Sequence, residues 1–171
     1  MDPTVAVRRI EEREWLAFRA LRLRSLKSDP LAFGSTLSKE AKYPDGKWRE
    51  WCQYGAASPE GATFVAVDGA DALVGMVGSF TDTGRPHLWG LWVRPEHRRR
   101  SIGRQLMDAV LGWVDRAGPP RAVLLDVNPS QEGAVRLYEA LGFAFSGVEQ
   151  PLGHDPPAVA RQMVRSSAGS P

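Results

Sequence analysis

The stretch of this chain best suited to hold an anion is Arg98-Arg99-Arg100-Ser101-Ile102-Gly103, with Arg104 next and Arg94 just before it. Beyond it Ile102, Leu106, Val110 and Trp113 recur at helical spacing, so a helix opens where the basic run ends. The first N–H groups of a helix have no intrahelical partner, and the helix dipole is positive there. Ser101 and Gly103 are small enough for a ligand to approach the backbone. A phosphate cradle is one reading of this junction, and a loop of solvated arginines is the other. Ahead of it runs Leu88-Trp89-Gly90-Leu91-Trp92-Val93, a short apolar stretch that suits a buried strand. Pro95 ends that strand because it has no N–H to give.

The whole chain bounds what this strand, loop and helix can serve. Its 171 residues, 43% hydrophobic and 25% charged, fit one domain with a real core, expected over 1–165, with a flexible tail at 166–171. The formal net charge is +2, so the basic cluster marks a local anion site rather than a polycation. No apolar run approaches the roughly 20 residues a membrane span needs, and no membrane partner is expected. The start, Met-Asp-Pro-Thr, lacks an export pattern, and Cys52 is the single cysteine, so a cytoplasmic setting is expected. No His–Asn or His–Asp pattern accompanies Cys52, which reads as structural. No His, Cys and carboxylate spacing suits a metal, so none is expected.

The remaining elements follow in order. Residues 5–9 read as a first strand and 11–26 as a helix with Trp15, Phe18 and Leu26 inward, ended by Asp29-Pro30. Residues 31–44 read as a loop leading into a short helix, and 48–52 as helical. Residues 63–67 and 73–79 form a hairpin about Asp68-Gly69-Ala70-Asp71, and 81–86 connect to the central strand. Gly118-Pro119-Pro120 stops the long helix, and 122–127 are a buried strand. Asn128-Pro129-Ser130 turns into a helix carrying Ala134, Leu137, Tyr138 and Leu141, closed by Gly142. Residues 143–145 start a strand, 151–157 are a Pro/Gly-rich excursion, and 159–164 are the last strand. The order predicts a mixed α/β sheet with helices on both faces, and the unit from 87 to 127 is long enough for a parallel crossover.

Two separated stretches carry a family pattern. Val93-x-Pro95-x-x-Arg98-Arg99-Arg100-Ser101-Ile102-Gly103-x-x-Leu106 resembles the acyl-CoA loop of the GNAT acetyltransferase superfamily, whose core is Arg/Gln-x-x-Gly-x-Gly/Ala. Val127-Asn128-Pro129 followed by Ala134-x-x-Leu137-Tyr138-x-x-x-Gly142-Phe143 resembles its second signature. Ser101 stands where the first glycine is usual, and Gln131 where many members have asparagine. The resemblance implies the acyl-CoA N-acyltransferase fold: a mostly antiparallel sheet with one splayed parallel strand pair, ending near Val93 and Val127. It implies acetyl-CoA as co-substrate, with pantetheine hydrogen-bonded along Leu91, Trp92 and Val93 and the pyrophosphate on amides of Arg99 to Arg104. Arg98, Asn128 and Ala134 are implied cofactor contacts as well.

Direct acetyl transfer to a primary amine needs a neutral amine, although a lysine-type amine has a pKa of about 10.4. It also needs an oxyanion donor and a protonated leaving group. Backbone N–H near Val93 would serve the oxyanion. By resemblance Tyr138 faces the CoA sulfur and is the general acid; the alternative is a core tyrosine beside Leu137 and Leu141. His87, six residues before Val93, stands where histone-type members carry a glutamate base; the alternative is a solvated histidine next to Pro86. Phe33 and Glu40 lie in the region implied to line the acceptor pocket, Glu40 being otherwise a helix surface charge. His154 and Asp155 border the acceptor groove or a solvated loop.

The resemblance thus implies an acetyl-CoA-dependent N-acetyltransferase acting on a small-molecule or peptide amine, with a homodimer common among relatives. Two other functions compete. A nucleic-acid-binding protein could use residues 94–104, but these basic residues lack interleaved aromatics, so no nucleic-acid partner is expected. A catalytically silent CoA-binding module would not need both Tyr138 and His87.

Overall fold

The computed structural model describes residues 4–119 and 121–166, the side chains at positions 156 and 157 excepted. The tail expected at 166–171 lies outside the described residues apart from Ser166. One seven-stranded sheet runs through the chain: β1 (Ala6–Arg9), β2 (Ala62–Val67), β3 (Leu73–Asp82), β4 (Arg85–Val93), β5 (Val123–Val127), β6 (Phe143–Leu152) and β7 (Asp155–Arg165), in the order β1-β2-β3-β4-β5-β7-β6. Every neighbouring pair is antiparallel except β4 and β5. The helices are α1 (Trp15–Ser28), α2 (Leu37–Glu40), α3 (Asp45–Ala57), α4 (Ile102–Arg116) and α5 (Glu132–Ala140).

Alternation along the strands splits the interior into two cores. On β2, Val65 and Val67 face one side with α1 and α3 residues such as Phe18, Leu21 and Trp48. Ala66 faces the other, with Leu106, Met107 and Val110 of α4 and Tyr138 of α5. A period of two on the strands and 3.6 on the helices is what produces both faces. Asp68 closes the β2–β3 turn by accepting from the N–H groups of Ala70 and Ala72 at 2.9 and 3.0 Å. Among the described residues no helix is long and apolar enough to cross a membrane.

Two connections differ from the sequence reading. Residues 81–86 are no linker: β3 reaches Asp82, and β4 starts at Arg85. Thr83 and Gly84 both have positive φ, 48° and 78°, the backbone of a tight hairpin turn. Threonine is an unusual residue there, so the turn is poorly marked in the sequence. The Pro/Gly-rich excursion belongs largely to the β6–β7 hairpin, because β6 is the sheet edge, where Pro151 needs no ladder N–H.

β4 and β5 pair in register at only two positions, His87 with Leu124 and Leu88 with Leu125. Past Leu88 the strand β4 bulges. Met76 opposes Trp92 while Gly78 opposes Trp89, so Gly90 and Leu91 together face Val77. Gly90 takes φ 70°, which only glycine adopts cheaply. Gly78 matters for another reason: a Cβ there would collide with the Trp89 ring.

The loop between β4 and α4 is anchored by Asp29, just past the end of α1. Asp29 accepts from Trp92 Nε1 at 2.7 Å and Arg98 Nη2 at 2.8 Å, and Arg98 Nε donates to the Val93 carbonyl at 2.9 Å. Burial opposes the charge on Asp29, but these bonds overcome it and hold the carboxyl below its usual value. Ser101 takes φ 61° and Arg99 φ 63°, both left-handed.

Two measurements follow. The depressed Asp29 carboxyl gives stability that is present above its unfolded pKa and is lost as pH falls through the lower folded value. Asp29→Asn should therefore unfold about 1–2 kcal/mol more easily at pH 7. Its deficit in denaturant melts should shrink below about pH 4. Ser101 makes no side-chain cap bond. Ser101→Gly should therefore raise stability by about 0.5–1 kcal/mol, read as a higher thermal midpoint.

Candidate active site

Where β4 leaves β5, a cleft of about 770 Å³ opens between them. Its walls are Leu88 through Val93 on one side and Leu125 to Val127 on the other, with Ala134, Leu137 and Tyr138 of α5 below. From Trp89 onward β4 has no strand partner on its β5 side, so main-chain groups there are open to an extended ligand. At one end lies the start of α4. Ser101, Ile102, Gly103 and Arg104 line that end, and the amides of Ile102 to Arg104 lack helical acceptors. Gln105 N–H already bonds the Ser101 carbonyl at 3.0 Å, which fixes the first turn.

The arginines of the loop have separate tasks. Arg98 lines the cleft but spends its charge on Asp29 and stacks over Trp92 at 5.8 Å. Arg104 pairs with Asp108 at 3.1 Å across one helical turn. Arg99 lines the cleft, whereas the exposed Arg100 does not. Arg24 of α1 clamps Glu96 with two bonds of 2.9 Å, which holds the Glu96 carboxyl down at about 2.

Tyr138 stands at the cleft floor, 8% exposed, with its ring edge-on to Phe143 at 6.0 Å. Burial raises the pKa of its phenol. The group therefore stays protonated well past neutral pH, and among the described residues its hydroxyl has no hydrogen-bond partner. Tyr138 is thus packed as a core tyrosine and also lines the cleft.

A second pocket of about 350 Å³ adjoins the cleft, the two sharing Leu88, Trp89, Gly90 and Asp126 as walls. His87 and Phe33 line it. His87 is held rather than solvated. Its Nε2 lies 3.1 Å from Asp126 Oδ2, and Phe80 stacks on the ring at 5.2 Å with the planes 8° apart. An ionised carboxylate only accepts, so the hydrogen sits on Nε2 and Nδ1 keeps the basic lone pair.

Four residues expected at the site lie outside the cleft. Glu40 lines neither pocket and is no helix surface charge. It is 2% exposed and locked to Arg22 by two bonds of 2.9 Å, because a buried carboxylate requires a partner. Asn128 lines the smaller pocket instead of the cleft, and its Oδ1 accepts from the backbone and hydroxyl of Ser130 at 2.8 and 2.5 Å. Arg100 is exposed and does not line the cleft. His154 is tied to the Pro30 carbonyl at 3.1 Å and lines neither pocket. Leu91, Trp92, Val93, Ile102, Gly103, Arg104, Ala134 and Tyr138 all line the cleft.

Two residues escaped the sequence reading. Asp126 had a signal, being the lone charge in Val123-Leu124-Leu125-Asp126-Val127. Arg22 had none, since it is one of several arginines spaced along α1. Among the described residues no group of three or more His, Cys, Asp and Glu could hold a metal. Buried Cys52, whose thiol burial pushes up to about 12, is far from nucleophilic.

The fold is similar to solved acetyltransferases. A GNAT-family acetyltransferase from Streptococcus pneumoniae superposes with a TM-score of 0.80 at 19% identity, over 95% of this chain and 99% of that one. A GNAT-superfamily phosphinothricin acetyltransferase from Sinorhizobium meliloti, solved with acetyl-CoA, gives 0.76 at 16% identity, over 96% and 89%. Human N-acetyltransferase 8 is 32% identical over 96 residues, a stretch that spans 53% of this chain and only 42% of that protein. The model of the acetyltransferase (GNAT) family matches residues 20–143, from the middle of α1 to the start of β6. With that match over well more than half its length, and with the splayed strand pair and the α4 loop in place, this chain belongs to the GNAT acetyltransferase family.

Proposed function

We propose that this protein moves an acetyl group from acetyl-CoA directly to a primary amine. One observation carries the reading: the open seam between β4 and β5 joins an anion-binding helix start, a buried phenol and a histidine–aspartate pair in adjoining pockets. The fit to acetyl-CoA rests on two features. Unfilled amides at α4 beside Arg99 suit a diphosphate, and the apolar seam beside an unpaired strand edge suits a slender amide-bearing arm. Bound there, the co-substrate supplies an activated thioester.

Each residue then has a defined task. His87 Nδ1 takes the proton that the acceptor amine must lose, and Asp126 steadies the imidazolium that results. The N–C bond forms as the C–S bond breaks, and the electron pair leaves on sulfur. Tyr138 donates to that sulfur. Because burial disfavours its phenolate, Tyr138 stabilises the developing thiolate mainly as a hydrogen-bond donor. Phe33 and Trp89 exclude water from the acceptor side. A nucleic-acid role draws less support, because Arg98 and Arg104 are committed to carboxylates.

A thiol-release assay with acetyl-CoA against a panel of amines tests the activity, and silence across the panel with acetyl-CoA bound would leave only a binding module. Tyr138→Phe should lower kcat by about 10- to 100-fold while the acetyl-CoA Kd stays within about twofold. An unchanged kcat removes Tyr138 from the chemistry. His87→Ala should flatten the rate profile between about pH 6 and 8. A profile identical to wild type would assign the base elsewhere.

A further inference from the structure

Arg22 has no part in the chemistry above, yet it occupies the acceptor side. It is 6% exposed, lines the smaller pocket, and sits inside the fold rather than on it. Glu40 takes the N–H groups of Nε and Nη2, 2.9 Å each. Aromatic rings enclose the guanidinium: Phe33 at 4.7 Å, Trp51 at 5.5 Å and Trp89 at 5.7 Å. The third nitrogen, Nη1, is buried and has no acceptor among the described residues.

A purely structural pair would end at Glu40, and a lysine could serve it. Arginine adds a second pair of N–H donors that the fold leaves unmatched, at a cost that is retained only if something else meets them. Nη1 lies against Gly90. A Cβ on Gly90 would lie 3.4 Å from Nη1, and Gly90 forms part of the wall shared by both pockets. The rings shut Nη1 off from bulk water, so the approach is through the notch that the missing side chain of Gly90 leaves.

We propose that the acceptor amine carries a carbonyl-type oxygen, carboxylate or amide, which seats in the Gly90 notch on Arg22 Nη1. This rests on the acetyl-transfer reading and deepens it. Glu40 already balances the guanidinium charge, so the site asks for a lone pair rather than for a full counter-charge. Along β4 the notch is three residues from His87, about 10 Å of strand, before either side chain reaches inward. That span suits a compact molecule with the amine toward His87–Asp126 and the oxygen toward Arg22. Amino acids and their amides have this form, whereas long polyamines offer no oxygen at all.

Wild-type protein decides the matter with matched trios in the thiol-release assay: leucine, leucinamide and isoamylamine; phenylalanine, phenylalaninamide and phenethylamine; spermidine serves as a long oxygen-free amine. The acid, the amide or both should exceed the oxygen-free member by at least about tenfold in kcat/KM. Preference for the acid identifies a carboxylate, and parity with the amide identifies a carbonyl. Equal or better turnover of the oxygen-free amines, or of spermidine alone, overturns the assignment while leaving acetyl transfer intact. No thiol release from any amine, with acetyl-CoA binding seen by calorimetry, overturns the transfer reading itself. Arg22→Lys keeps a cation for Glu40 but loses the nitrogen facing Gly90. It should raise acceptor KM by about tenfold or more and narrow the oxygen preference, with acetyl-CoA binding retained. Unaltered preference in that variant also refutes the role.

Discussion

The one constraint on which the rest depends is the extra residue in β4. A parallel pair of strands would normally zip along its length, satisfying each main-chain group in turn. Here the zipping stops after Leu88 and Leu125, and the bulge at Gly90 and Leu91 turns β4 away. The open seam, the adjoining pockets and the exposed strand edge are one event seen from several sides. β3 holds β4 from the other side, so the defect stays local.

Charge in the loop ahead of α4 is managed rather than merely accumulated. Asp29 takes the charge of Arg98, Asp108 that of Arg104, and Arg24 reaches over to Glu96. What is left for an anion is mainly backbone: a helix start whose amides are aimed by two left-handed residues, Arg99 and Ser101. Main-chain donors cannot swing away as long side chains do, so positioning by the backbone makes a rigid site. Serine in a conformation that favours glycine stores a little strain at this corner.

The smaller pocket is built differently, around a buried Arg22–Glu40 pair among aromatic rings and a His87–Asp126 pair nearer the surface. Arg22 with Glu40 and His87 with Asp126 each bring together residues from distant parts of the chain. These pairings span 18 and 39 residues, and only the first of them is buried in the core. A buried ion pair stabilises little by itself, since desolvation offsets much of the attraction. Its presence beside a pocket is better explained by the fixed donors and acceptors that it presents.

Local pattern was enough to reveal the order of strands and helices, the strand–loop–helix junction and the helix that carries Tyr138. Period two, period 3.6 and the two motifs are each written within a few consecutive residues. The same local reading left Glu40 between an acceptor-pocket carboxylate and a helix surface charge, and it missed Arg22 and Asp126. Nothing in a stretch of charged residues says which one the fold will bury, because burial is set by what packs against it from elsewhere. The chain's own letters thus determined the architecture and the strand–loop–helix corner, where neighbours in sequence are neighbours in space. Only tertiary packing decided which acid holds His87, which partner neutralises Glu40 and where the seam opens, since each of those depends on elements that meet only after folding.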